Sequence, residues 1–175
     1  SVNLSIDIKR RNNSKANHSA THLLHESLRR TLGKHVTQKG SMVSHERLRF
    51  DFSYNKTIEK DEMTKINKIV NDFVGKSSEV QTRIMTPKEA VELGALALFG
   101  EKYGDEVRVV FIGKEDNGFF STELCGGTHV KNTSDIGKFK IISQSSIAAG
   151  IRRIEALRDR QVEKVLKYKE QLSNI

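Results

Sequence analysis

Two histidines four positions apart, His18 and His22, are the first residues of this sequence that could carry chemistry. In a helix this spacing places both imidazoles on one face, where they can bind a single metal ion. A pair of ordinary surface histidines is the alternative. In a zinc protease of the two-histidine type a glutamate follows the first histidine and serves as general base. Ser19 occupies that position here, which disfavours that class.

The only cysteine of the chain, Cys125, lies four positions before His129. Gly126 and Gly127 stand between them, oppose helix formation and predict a loop. Such glycines let the backbone approach a ligand closely and can direct N–H groups at an oxyanion. A buried structural cysteine beside an incidental turn is one alternative. A cysteine nucleophile with a histidine base is another, disfavoured because the sequence places no Asp or Asn to orient the base.

The two pairs together make a stronger candidate for a metal site than either pair alone. One thiolate and three imidazoles suit tetrahedral zinc, so the predicted ligands are His18, His22, Cys125 and His129. About a hundred positions separate the pairs, so the ion is expected to join a helix to a sheet inside a folded domain. Four protein ligands favour a closed structural site, whereas metal catalysis needs an open coordination position, and the sequence does not choose between them.

Two further residues are weaker candidates for substrate contacts. Gln38, in the stretch 37–41 after the first predicted helix, could hydrogen-bond a substrate, with a solvated loop amide as the alternative. Thr21 precedes His22, and its hydroxyl could recognise a polar side chain. A helical threonine commonly bonds back to a helix carbonyl instead.

Hydrophobic periodicity predicts the elements that position these residues. The first helix is predicted from near Ser14 to Gly33, after a short strand over 2–8. The other predicted elements are strands at 47–54, 80–84, 107–113, 119–124, 138–143 and 151–157, a helix at 61–75 capped by Asp61, a helix at 87–94 capped by Thr86, and a charged helix from Arg158. The expected fold class is α+β, a largely antiparallel sheet packed with helices, with the zinc site between the first helix and a strand-end loop.

Composition sets the broad class of protein and of partner. The chain has 175 residues, of which 36% are hydrophobic and 30% charged, as in one folded domain. A single cysteine fits a reducing, cytoplasmic compartment, and no apolar run predicts a membrane partner. The net charge of +8 favours a polyanionic partner, nucleic acid first, with a solvated basic surface as the alternative. The candidates for contacts with a nucleic-acid backbone are Arg10, Arg11, Arg29, Arg152 and Arg153, with Lys9, Lys15 and Arg30 beside them.

Five segments resemble, in the same order, the editing domain of alanyl-tRNA synthetase and the free-standing AlaX editing proteins. They are HSATHLLHESLRRTLGKHVTQKGSMV, RLRFDFS, ALFGEKYGDEVRVV, STELCGGTHV and AAGIRRIEA. The resemblance covers roughly 10–157. The related threonyl-tRNA synthetase editing domain shares the spaced histidines, but its second motif resembles C-x-G-P-H, which Gly127-Thr128 does not match. The alanyl branch is therefore preferred.

The resemblance implies hydrolysis of the ester that joins a wrong amino acid, serine or glycine, to the 3′-terminal adenosine of alanine tRNA. It implies Zn²⁺ as cofactor on the four predicted ligands. It places Cys125, Gln38, Gly126 and Gly127 at the catalytic centre, with Thr21 and Gln38 handling the substrate. A zinc-stabilised tRNA-binding module without its own catalysis is the alternative.

The resemblance also implies a domain layout. Residues 1–9 are expected to be the tail of a preceding module, 10–157 the editing domain, and 158–175 a C-terminal helix that starts a linker. The beginning at Ser1 and the lack of an ATP-binding segment suggest a piece that acts in cis with the remainder of a synthetase. The chain departs from the family at Gln144-Ser145-Ser146, where an acidic residue and a glycine are common, and at 114–120, which is longer and is expected to form a hairpin tip.

Overall fold

A computed structural model describes residues 2–96 and 104–173, and arranges their strands in two antiparallel sheets. The stretch 97–103, part of the ALFGEKYGDEVRVV segment, lies outside the described residues. The elements in chain order are α1 (Ile8–Leu32), β1 (Gln38–Val43), β2 (Leu48–Ser53), α2 (Lys60–Gly75), β3 (Gln81–Met85), α3 (Pro87–Glu92), β4 (Val107–Glu115), β5 (Gly118–Leu124), a 3-10 turn (Thr133–Ile136), β6 (Phe139–Ala148), β7 (Ile151–Arg158) and α4 (Asp159–Ser173).

The two sheets have different strand orders. The larger sheet runs β1-β2-β7-β6 and the smaller one β3-β4-β5, and every pairing between these strands is antiparallel. The expected α+β class is therefore confirmed. The predicted hairpin tip at 114–120 is the turn between β4 and β5, where Glu115 pairs with Gly118.

Helix α1 contacts strands of both sheets, β1 and β2 in the larger and β4 and β5 in the smaller. Its buried apolar stripe makes this possible, because residues spaced by three and four positions share one face of a helix. The stripe joins a core with the inward side chains of β2 and β7, and its members are Ala16, Ala20, Leu23, Leu24 and Leu28. The helix that carries His18 and His22 is thereby held against the end of β5.

The predictions for the N-terminal segment are wrong. No strand forms over 2–8, and α1 begins at Ile8 rather than near Ser14. Asp7 is the N-cap, and its carboxylate accepts a 3.0 Å hydrogen bond from the backbone N–H of Arg10. The alternating apolar side chains of 2–8 are exposed, so the pattern has no neighbouring sheet to complete it.

Two other element predictions need correction. Gln38, for which a solvated loop amide was the alternative interpretation, begins edge strand β1, which pairs with β2 around an irregularity between Gln38 and Gly40. Helix α2 is capped by Glu59 in a reciprocal arrangement with Glu62, and not by Asp61. The Thr86 cap of α3 is confirmed, because its hydroxyl accepts from the backbone N–H of Glu89.

The charged segment after β7 forms helix α4, as expected, although its role as the start of a linker stays a prediction. Within the described part of the chain, no helix combines the length and the apolar character that a bilayer span requires.

Candidate metal centre

Three imidazole rings and one thiol converge where α1 meets the loop after β5. One candidate ligand atom from each of His18, His22, Cys125 and His129 lies within 4.8 Å of the others. The Sγ atom of Cys125 is 3.4 Å from Nε2 of His18 and 3.3 Å from Nε2 of His129. The fold thus brings together the two pairs that the sequence separates by about a hundred positions.

The opposite ring nitrogens of His18 and His129 are held by the protein. Nδ1 of His18 donates to the carbonyl of Thr128 over 3.2 Å. Nδ1 of His129 lies 3.1 Å from the hydroxyl of Ser19, which also accepts from the backbone N–H of Val130. With Nδ1 engaged, each ring presents Nε2 to the centre, which is the way metal-binding histidines are commonly oriented.

His22 supplies an observation that tests whether a metal fits. The residue is buried, and its Nε2 has no hydrogen-bond partner among the described residues. Its Nδ1 lies 3.1 Å from Oε2 of Glu123, an electrostatic contact rather than a well-aligned hydrogen bond. Buried polar atoms are nearly always satisfied, so an orphaned nitrogen facing a thiol and two imidazoles fits a metal ion.

The charge state of Cys125 also suits a metal ligand. Burial by itself would raise the pKa of the thiol, but hydrogen bonds from His129 and His18 and the nearby charge of His22 outweigh it and lower that pKa to about 3. The side chain is therefore a thiolate at neutral pH, the form that binds metals. Burial and the nearby charges of His22 and His18 lower the pKa of His129 to about 4, which leaves its imidazole neutral.

Arg108 on β4 holds the loop that carries the cysteine. Its Nη1 donates to the carbonyls of Cys125 over 2.8 Å and Gly127 over 2.7 Å, and its own carbonyl accepts from the Cys125 N–H. In a trans peptide the carbonyl and the following N–H point in opposite directions. The N–H groups of Gly126 and Thr128 therefore point away from Arg108, and neither has a hydrogen-bond partner within the described residues.

The two glycines of the loop are not equivalent. A Cβ added at Gly127 would lie 2.7 Å from Nδ1 of His18, whereas one added at Gly126 would meet no atom within 4 Å. Gly127 is therefore required by the close approach of a ligand ring. The sequence predicted that glycine would allow a close approach, and the group that approaches is the protein's own histidine.

The two predicted substrate-contact residues, Thr21 and Gln38, lie on different elements, α1 and β1. Thr21 is buried beside His22, and its hydroxyl donates to the carbonyl of Asn17 over 2.8 Å, so only its acceptor capacity is left. Gln38 begins β1 opposite Phe52 and is half-buried. Among the described residues, no hydrogen bond joins Gln38 to the four candidate ligands.

Three of the predicted backbone-binding arginines are engaged within the protein. Arg29 donates to the carbonyls of Lys34 and Val36 after α1. The other two lie on β7, where Arg153 binds both carboxylate oxygens of Asp51 and Arg152 donates to Gln144.

Arg10 and Arg11 lie in the exposed first turns of α1. Helical spacing places Arg11 and Lys15 on the face that carries His18 and His22, at steps of four, three and four residues. A basic track therefore leads along α1 towards the candidate metal centre.

Sequence reasoning missed three residues that support this centre: Ser19, Arg108 and Glu123. Glu123 is 6% exposed, and its Oε2 lies 3.1 Å from His22 and 3.2 Å from His25. A glutamate within a strand, two positions before the cysteine, is the signal that could have pointed to it.

Known proteins resemble this chain over most of its length. Residues 107–155 match the family model described as the threonyl and alanyl tRNA synthetase second additional domain. Alanine–tRNA ligase of Parvibaculum lavamentivorans is 58% identical over 159 residues, 89% of this chain and 18% of that protein. The same enzyme of Ruegeria sp. is 57% identical over 160 residues, and that of Paracoccus denitrificans 58% over 161, each across 88% of this chain. The chain spans 18% of the length of these relatives.

Proposed function

We propose that this chain, which is similar to one segment of alanine–tRNA ligases, hydrolyses the aminoacyl ester of mischarged alanine tRNA. The substrates are the seryl and glycyl esters at the 3′-terminal adenosine. The observation that carries the proposal is the convergence of His18, His22, Cys125 and His129 within 4.8 Å. A zinc-stabilised binding module would use the same four ligands, and the unpartnered N–H groups of Gly126 and Thr128 beside them favour hydrolysis over that alternative.

The proposed cofactor is Zn²⁺, held by these four side chains. A bound zinc ion would supply a Lewis acid next to the ester. The fit is supported by the thiolate state of Cys125, by the unpartnered Nε2 of His22 and by the tethered rings of His18 and His129.

The proposed role of the Gly126-Gly127 loop is to stabilise the charge that develops on the ester oxygen. The N–H groups of Gly126 and Thr128 have no partner within the described residues, and Arg108 fixes the peptides that carry them. N–H groups held in place in advance stabilise an oxyanion strongly, because they need no reorganisation during the reaction.

The proposed selectivity for the seryl ester over the alanyl ester rests on the serine hydroxyl. A pocket for alanine cannot exclude glycine by size, and it discriminates poorly against one added hydroxyl, so a second site must correct both errors. The hydroxyl of Thr21 already donates to Asn17, which leaves it an acceptor for a hydroxyl that alanine lacks. Gln38 is proposed to contact the substrate from β1.

The proposed contacts with tRNA centre on Arg10 and Arg11, with Lys15 continuing towards His18. These side chains lie on the exposed N-terminal turns of α1, whereas Arg29, Arg152 and Arg153 are already bonded within the protein. Contacts with phosphates make affinity fall as salt rises.

We also propose that the segment works in cis with the remainder of an alanine–tRNA ligase, of which 10–157 is the editing domain.

The test is the rate at which Ser-tRNA(Ala), Gly-tRNA(Ala) and Ala-tRNA(Ala) lose their amino acids in the presence of the chain and of Cys125→Ala. We expect loss of serine and glycine, persistence of the alanyl ester and an inactive variant that still binds tRNA. If the folded, zinc-loaded chain binds tRNA and hydrolyses none of the esters, the alternative of a zinc-stabilised binding module replaces this proposal.

A further inference from the structure

We infer that Glu123 is a positioning residue that orients His22 towards the metal, and that His25 holds the Glu123 carboxylate in place. This inference rests on the proposed metal site. It assigns a function to two residues that are not among the four candidate ligands and that lie on different elements, α1 and β5.

The carboxylate of Glu123 faces three polar groups inside the protein, of which His25 and Ser121 form hydrogen bonds with it and His22 forms an electrostatic contact. Its Oε2 lies 3.1 Å from Nδ1 of His22 and 3.2 Å from Nδ1 of His25, and its Oε1 accepts from the hydroxyl of Ser121 over 2.9 Å. The residue is 6% exposed, so solvent cannot take the place of these partners. A buried charge persists only when it is paired, and here both histidines contribute to the pairing.

The direction of the contacts indicates what the carboxylate does. It meets Nδ1 of His22 and so leaves Nε2 facing the thiolate of Cys125. A carboxylate behind a metal-bound imidazole fixes which nitrogen carries the proton, aims the ring and makes it a stronger ligand. The hydroxyl of Ser19 contacts Nδ1 of His129, and the carbonyl of Thr128 contacts Nδ1 of His18. Neither of these two groups carries a charge.

His25 is separated from His22 by three positions, so both rings lie on the same side of α1. It is buried, it is not among the candidate ligands, and its ring packs against Phe50 at a centroid distance of 5.1 Å. Its Nδ1 donates to the oxygen that His22 approaches. Because the core fixes the His25 ring, the donor that it provides to Glu123 is fixed as well.

The test is zinc affinity, measured by competition with a chromophoric chelator on the purified chain, together with the visible spectrum of the cobalt-substituted protein. Glu123→Gln keeps the shape of the side chain, and we expect it to weaken zinc binding by about 10-fold, with Glu123→Ala nearer 100-fold. The cobalt bands, which report the coordination geometry, should shift in both. Glu115→Gln is the matched control, because Glu115 lies on the same hairpin but pairs with Arg30.

Unchanged affinity and an unchanged cobalt spectrum in the Glu123 variants would overturn the inference. If those variants do not fold, His25→Leu decides the question, since it removes the donor to Glu123 and leaves all four ligands and Glu123 in place. Weaker zinc binding by a folded His25→Leu supports the inference, and wild-type affinity in it overturns the inference. Failure of the wild-type chain to bind zinc would instead reject the proposed metal site. That result is distinguishable from the variant outcomes, because it concerns the wild-type chain alone.

Discussion

The ring of His18 lies directly against the backbone of Gly127, so close that a Cβ at this glycine would stand 2.7 Å from the ring's Nδ1. Gly126, one position earlier, meets no atom within 4 Å where its Cβ would be. The pair offers a controlled test of whether the loop is shaped around the metal centre.

Gly127→Ala should displace His18 and lower zinc affinity by about 10-fold or more, as expected when a ligand loses its orientation. Gly126→Ala should change it by less than about twofold, because surface substitutions that touch nothing have small effects. Chelator competition on both variants measures the difference. Equal affinities would show that the contact between His18 and Gly127 does not position the ring for metal.

Removal of zinc should destabilise the fold, because the ion would join α1 to the loop after β5 and would be released on unfolding. At a zinc concentration 1,000 times Kd the expected stabilisation is about 4 kcal/mol. Thermal unfolding with and without a chelator measures it. Cys125→Ala is the control, and its midpoint should respond little to the chelator. A wild-type midpoint that ignores the chelator would contradict a zinc site.

Thr21→Val should reduce hydrolysis of the seryl ester by about 3- to 10-fold, the value of one neutral hydrogen bond. The glycyl ester should be hydrolysed at the wild-type rate, since glycine has no hydroxyl to contact. Thr21→Ser keeps the hydroxyl and should retain the preference for serine. Parallel losses on both esters would point instead to disturbance of α1 through the bond to Asn17.

Arg11→Gln and Lys15→Gln should weaken tRNA binding, and each should reduce the slope of log affinity against log salt by about 0.7–0.9. Binding measured between low and moderate salt checks this. Lys68→Gln is the matched control, because Lys68 is an exposed lysine on α2 that pairs with Asp72. The proposal that the basic track along α1 binds tRNA would be rejected if Lys68→Gln weakened tRNA binding as much as the two variants do.

Asp51→Asn should destabilise the fold at neutral pH by about 1–2 kcal/mol, because Asp51 accepts two charge-assisted hydrogen bonds from Arg153. Those bonds, with the charges of Arg153 and Arg49, hold the pKa of the Asp51 carboxyl below its usual value against the effect of burial. A lowered pKa adds stability that is present above the unfolded value of about 4 and is lost as pH falls through the folded pKa.

The difference in unfolding free energy between wild type and Asp51→Asn should therefore shrink below about pH 4. Urea unfolding at several pH values measures it. Asp72→Asn serves as the control, because Asp72 is half exposed and its ion pair, among the described residues, is with Lys68. A constant difference from neutral to acid pH would show that the charge of Asp51 contributes nothing.

Some predictions from the sequence succeeded because their causes are local. His18 and His22 share a face because the helical repeat alone fixes that relation. Thr86 caps α3 through a bond that spans three residues. Predictions failed where a strand depends on a distant partner. Residues 2–8 alternate between apolar and polar side chains, but no neighbouring strand pairs with them. Residues 38–43 show no clear alternation, yet they pair with β2.

The residue types of the candidate centre, the α+β class and the helix that carries two of the four ligands could all be predicted from the sequence. The groups that surround the ligands could not, because they depend on the tertiary structure. Glu123 meets His25 across 98 positions and Ser19 meets His129 across 110, and no local rule specifies such contacts. The physical reason is that helix and strand periods fix the direction of a side chain along its own element. The partner that it meets depends on how those elements pack.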